Sequence, residues 1–133
     1  MNNKVVARFT DGRVVKGTTA DFNPKKDVFH VLQVDVAPGT PPVTIEMNEL
    51  KALFFVKDLE GNPFRLKTGA TSPPRPAYGR RIRVVFHDGE EVVGTTAVYE
   101  PGRPGFFIEP EDAFTNEERC YVVTKSARSI TLL

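Results

Sequence analysis

Residues 5 to 56 and 82 to 133 form two copies of one pattern, F-x-D-G-x-x-V-x-G-T-T-A-x-[FY]-x-P, that begins at Phe9 and again at Phe86. A constant offset of 77 carries Asp11, Gly12, Val15, Gly17, Thr18, Thr19, Ala20 and Pro24 onto Asp88, Gly89, Val92, Gly94, Thr95, Thr96, Ala97 and Pro101. Without a gap, 11 of 52 pairs are identical, against about 3 from composition alone. An internal repeat constrains architecture before any single residue does. The chain must be two like units.

Each unit reads as β-structure. Val5, Ala7 and Phe9 alternate with Val6 and Arg8, as Ile82, Val84 and Phe86 alternate with Arg83 and Val85, which places the first of each set on a core face. Asp11-Gly12 and Asp88-Gly89 follow at once, and Asp-Gly between alternating runs is a hairpin signal because Gly accepts the positive φ of the turn. Gly17 and Gly94 stand inside the returning strands, where a glycine marks a bulge or sharp bend that lets a small sheet curl. Further strands are expected at 28–34 with 106–109, 43–47 with 120–124, and 51–57 with 129–133, the last two of each unit joined by one helical turn. No stretch has the capped i, i+3, i+4, i+7 pattern of a helix. The expectation is all-β: two tandem five-stranded small barrels, residues 1–60 and 82–133, joined by a Pro/Gly-rich basic linker, 61–81.

Charge divides unevenly among these pieces. Residues 1–60 carry 8 basic and 8 acidic groups, residues 61–83 carry 6 basic and none acidic, and residues 84–133 carry 4 basic and 9 acidic. A basic connector tethered to an acidic unit is most simply intramolecular complementarity. The same connector, with Arg75, Arg80, Arg81 and Arg83 beside Tyr78, is also the candidate anion or nucleic-acid contact, since arginine offers a bidentate fork and a stacking face.

Other chemistry is sparse. His30 and His87 stand in no ligand spacing, and His87-Asp88 is accounted for by the turn. Cys120 sits in a strand-like run and reads as a buried thiol. No catalytic residue, metal site or cofactor is expected. No apolar run reaches the roughly 20 residues that cross a bilayer, and no secretory signal segment opens the chain; a cytoplasmic protein without membrane association is the expectation. One contrast between the copies is more telling: Phe54 falls opposite Thr131, so the closing strand of copy one is apolar on both faces. Such a strand must be covered twice, making Phe54 and Val56 the candidate interface, between the units or between subunits.

The run from Asp11 to Thr18, continuing to Phe22-Asn23 and Asp27, resembles the first motif of Sm-like proteins, with Asp88-Gly89, Gly94-Thr95 and Tyr99 repeating part of it. The resemblance implies a five-stranded SH3-like barrel. The RNA pocket of that family is not carried over, because Asn23 and Asp27 exchange the acidic and amide positions and no Arg-Gly precedes Lys51 or Ser129. The closing strand Lys51-Ala52-Leu53-Phe54-Phe55-Val56 is similar to that of an uncharacterised bacterial domain family, which implies no activity. The resulting expectation is a non-catalytic tandem-barrel adaptor that binds a protein partner or itself. The alternative is an Sm-like protein that binds RNA or nucleotide through the basic linker.

Overall fold

The computed structural model describes residues 3–57, 79–97, 99, 102–110 and 117–133. Ten strands account for most of them: β1 (Asn3–Phe9), β2 (Val14–Thr19), β3 (Val28–Gln33), β4 (Val43–Glu46), β5 (Leu50–Val56), β6 (Arg80–Phe86), β7 (Glu91–Thr96), β8 (Gly105–Pro110), β9 (Glu117–Val123) and β10 (Ala127–Leu132). Single 3₁₀ turns, Met47–Glu49 and Thr124–Ser126, join the last two strands of each half.

Strand register repeats with the sequence. Val5 faces Gly17 on β2 and Phe55 on β5, while Ile82 faces Gly94 on β7 and Leu132 on β10. Phe29 faces Ile45 as Phe106 faces Val122. The Asp-Gly hairpins are alike too: Gly12 (φ 94°) and Gly89 (φ 91°) take the left-handed conformation, and Asp11 and Asp88 each accept the backbone N–H two residues on, at 3.0 and 2.9 Å. The carboxylate that starts each turn thus also fastens it.

The ten strands form a single antiparallel sheet in the order β10-β6-β7-β8-β9-β5-β1-β2-β3-β4. This differs from the expected pair of separate barrels. The halves merge because β5 of the first pairs with β9 of the second, Leu53 facing Tyr121 and Phe54 facing Cys120. Among the described residues β4 and β10 are left as edges, each with one neighbour.

This junction explains why β5 is apolar on both faces. All seven of its residues are buried, and successive side chains of a strand point to opposite sides. Leu53 and Phe55 enter one core with Val5, Phe9, Phe29 and Ile45, together with Tyr121 and Val123 from β9. Ala52, Phe54 and Val56 enter the other with Ile82, Val84, Phe86 and Ile108, joined by Cys120 and Val122. Two central strands therefore serve both cores, and neither half has a hydrophobic interior of its own.

A polar knot ties the same junction. Lys51, 6% exposed, sends Nζ to Asp88 Oδ2 and Glu90 Oε1, both at 2.7 Å, and lies over the Phe86 ring. Arg8 from the first half reaches Glu90 at 3.0 Å, and the Ser126 hydroxyl donates to the Lys51 carbonyl. Burial alone would lower the Lys51 pKa, but the two carboxylates outweigh it and the net shift is upward. Lys51 in turn holds Asp88 below the usual carboxylate value of 3.8. A lowered carboxylate stabilises the fold above its unfolded pKa and loses that contribution as pH falls through the folded value; the raised lysine contributes below 10.5 and loses it on the alkaline side. The midpoint of urea unfolding is therefore expected to be flat from about pH 5 to 9 and to drop below about pH 4. In Lys51→Met, the Asp88 pKa should rise toward its ordinary value by NMR while the Glu90 N–H still holds part of the lowering; an unchanged Asp88 titration would show that Lys51 does not set it.

Candidate functional site

A cleft of about 1040 Å³ opens at one end of the junction, lined by both halves. The β2–β3 connection supplies Asn23 to Asp27 and the turn after β4 supplies Met47 and Asn48. From the second half come Ala97, the run from Gly102 to Phe107, and Tyr121 and Val123 with Thr124 and Lys125 beyond them.

Local hydrogen bonding holds both rims. Asn23 Oδ1 accepts Lys25 N–H at 2.9 Å, closing an Asx turn, and Met47 N–H donates to the Asp27 carbonyl at 2.8 Å. Across the cleft, Thr124 N–H donates to Pro104 O and its hydroxyl to Arg103 O, both at 2.9 Å. Side chains that satisfy loop backbone in this way order the loop before any ligand arrives.

The floor is apolar. Tyr121 lies flat against Gly105, where a Cβ would overlap its Oη and Cζ, so a glycine is required there for the ring to seat. Burial raises the Tyr121 phenol above its ordinary value. Phe107 packs edge-on against Phe22 and Tyr121, with the Arg119 guanidinium 5.0 Å above its ring. Met47 and Phe107 are only half-buried, which leaves apolar surface open to a ligand. Among the described residues the rim carries Lys25, Lys26, Arg103 and Lys125 against one carboxylate, Asp27. Cationic charge around an apolar floor can hold a ligand that is both anionic and hydrophobic.

The described residues among those singled out from sequence lie elsewhere. Arg80, Arg81 and Arg83 are exposed on β6, and Arg83 pairs with Glu91 at 2.8 Å; Arg75 and Tyr78 fall outside the described residues. Phe54 and Val56 are 3% and 7% exposed within the second core. Cys120 is buried there as well. His87 Nε2 lies 3.3 Å from the Lys125 carbonyl, and His30 Nδ1 lies 2.7 Å from Asp21, whose pKa the histidine lowers. Asp21 also accepts the His30 N–H and the Thr19 hydroxyl, a lock on the β2–β3 connection. Among the described residues no group of three or more His, Cys, Asp or Glu could hold a metal ion, and no helix is long and apolar enough to cross a membrane.

None of the lysines at the rim stood out in the sequence. Their only signal was Lys25-Lys26 in a loop, which by itself describes any solvated turn. No curated protein and no solved structure matches the chain. A model of a family of unknown function, DUF6982, matches residues 1–133, the full length, and the chain belongs to that family.

Proposed function

We propose that the protein is a non-catalytic adaptor that takes a segment of a partner protein in the cleft between its halves, acting in a bacterial-type cytoplasm. Each half is read as a small barrel of the SH3-like or Sm-like kind, opened on one side so that β5 and β9 can join. The observation that carries the reading is the cleft itself: its rims are fastened by backbone hydrogen bonds and its floor offers half-buried Met47 and Phe107. A preformed apolar recess with few polar groups around it is the usual form of a binding site. The strand edges β4 and β10 offer further backbone groups for strand addition.

The test is selection of random peptides on the immobilised full chain, counter-selected on Asn48→Trp, which sets a bulky ring at the cleft from an exposed lining position. Enrichment of peptides that bind the parent and not Asn48→Trp is expected. If no sequence distinguishes the two, the cleft is not a protein-binding site and the reading falls.

The second reading is single-stranded RNA, favoured by the cationic rim and by exposed Arg80 and Arg81. Its mark is affinity that falls steeply with salt, as phosphate contacts release counterions.

A further inference from the structure

We infer that the segment bound in the cleft is acidic and carries a bulky apolar side chain, a conclusion that rests on the adaptor reading above. Two features of the cleft select this chemistry together. The first is charge. Lys25, Lys26 and Lys125 are exposed on the rim, and their ammonium groups make no ion pair among the described residues. With Asp27 the only carboxylate in the described lining, the described residues of the mouth carry an excess of positive charge in a chain whose net charge is only +1. Like charges gathered at one mouth repel one another and are relieved by an anionic ligand.

The second feature is the floor, which separates an acidic peptide from a polynucleotide. A nucleic-acid platform needs an aromatic face laid open for bases to stack on. Here Tyr121 is 2% exposed, and the Phe107 ring is already engaged by neighbouring rings and capped by Arg119. What remains open is the flexible, half-buried Met47 and the side of Phe107, a recess for an aliphatic or aromatic side chain. The cations at the mouth are mainly lysines, point charges that accept carboxylate or phosphate alike, so it is the floor that makes the distinction.

The experiment measures fluorescence anisotropy of a labelled peptide, Glu-Asp-Phe-Glu-Asp-Leu, titrated with the full chain. Companion probes are the same peptide with Ser for Phe and Leu, the peptide with Lys for Glu and Asp, and oligouridylate. The acidic apolar peptide should bind most tightly. The combined Lys25→Glu, Lys26→Glu and Lys125→Glu variant should weaken it by at least about tenfold, and the Ser peptide should lose a comparable factor. These lysines are exposed and make no ion pair among the described residues, so the variant should melt like the parent, and the Lys→Gln triple variant provides an intermediate point. Equal binding by parent and variants, equal binding of the lysine peptide, or tighter binding of oligouridylate would each overturn the inference. The random-peptide selection separates the two failures: cleft-dependent peptides that are not acidic would sink this inference and leave the adaptor reading standing.

Discussion

Phe54→Ala is expected to cost about 3–5 kcal/mol, the range for deleting a fully buried aromatic side chain, and to lower a single cooperative unfolding transition without splitting it. Phe54 is 3% exposed in the second core, yet it belongs to the first copy, on a strand whose neighbours Leu53 and Phe55 fill the other core. It faces Val6 on β1 and Cys120 on β9, with the Arg8 guanidinium 5.1 Å from its ring. A cavity at this point cannot be filled by rearrangement of one half alone, because β5 is held on both sides by backbone pairing. Its counterpart by the 77-residue offset, Thr131 on the edge strand β10, is exposed, and Thr131→Ala should change stability by no more than about 0.5 kcal/mol. Urea denaturation of both variants checks the contrast. A Phe54→Ala loss below about 1 kcal/mol, or two separate transitions in the parent, would mean that the halves fold as independent units.

That asymmetry also marks where sequence reasoning stopped. The hairpins, the alternation and the register of each half follow from local rules repeated 77 residues apart, so one copy checks the other. The merging of the halves depends on which distant edge β5 meets. Local pattern is silent on that choice, apart from the apolar run Ala52 to Val56, which required cover on both faces without naming it. In β10 Ser129 and Thr131 stand where Ala52 and Phe54 do, and both are exposed, as suits a strand at the sheet margin. The cleft was hidden for a related reason. Its walls come from residues 23–27, 47–48, 97 and 102–107, and 121 with 123–125, segments brought together only when β5 and β9 pair. Of the arginines that composition made conspicuous, Arg80, Arg81 and Arg83 lie on β6, where Arg83 is neutralised by Glu91. Its counterpart in the first half is Val6, so this ion pair belongs to the second half alone.

Gly94→Ala is expected to destabilise the protein by about 3 kcal/mol, at the upper end of what overpacking usually costs. Gly94 lies within β7, and a Cβ there would overlap the Glu109 carbonyl oxygen and come within 2.6 Å of Ile108 Cγ2. The required glycine thus reflects a close approach of two strands and not a left-handed backbone. The obstacle is backbone, so relief requires β8 to move, and β8 is backed by β9 in the middle of the sheet. Gly17 meets the matching obstacle in the first half, the Leu32 carbonyl with Val31 Cγ1 at 2.8 Å. There β3 is backed only by the four-residue edge strand β4, so it can yield, and Gly17→Ala should cost roughly 1–2 kcal/mol. Gly89→Ala separates steric overlap from backbone strain, since its φ is 91° but nothing lies within 4 Å of the new methyl; its cost should be about 1 kcal/mol. The expected order of loss in urea denaturation is Gly94, then Gly17, then Gly89. A Gly94→Ala protein no less stable than Gly89→Ala would show that β8 is free to shift. Because β8 also carries Gly105 and Phe107, such freedom would remove the rigid floor on which recognition in the cleft depends.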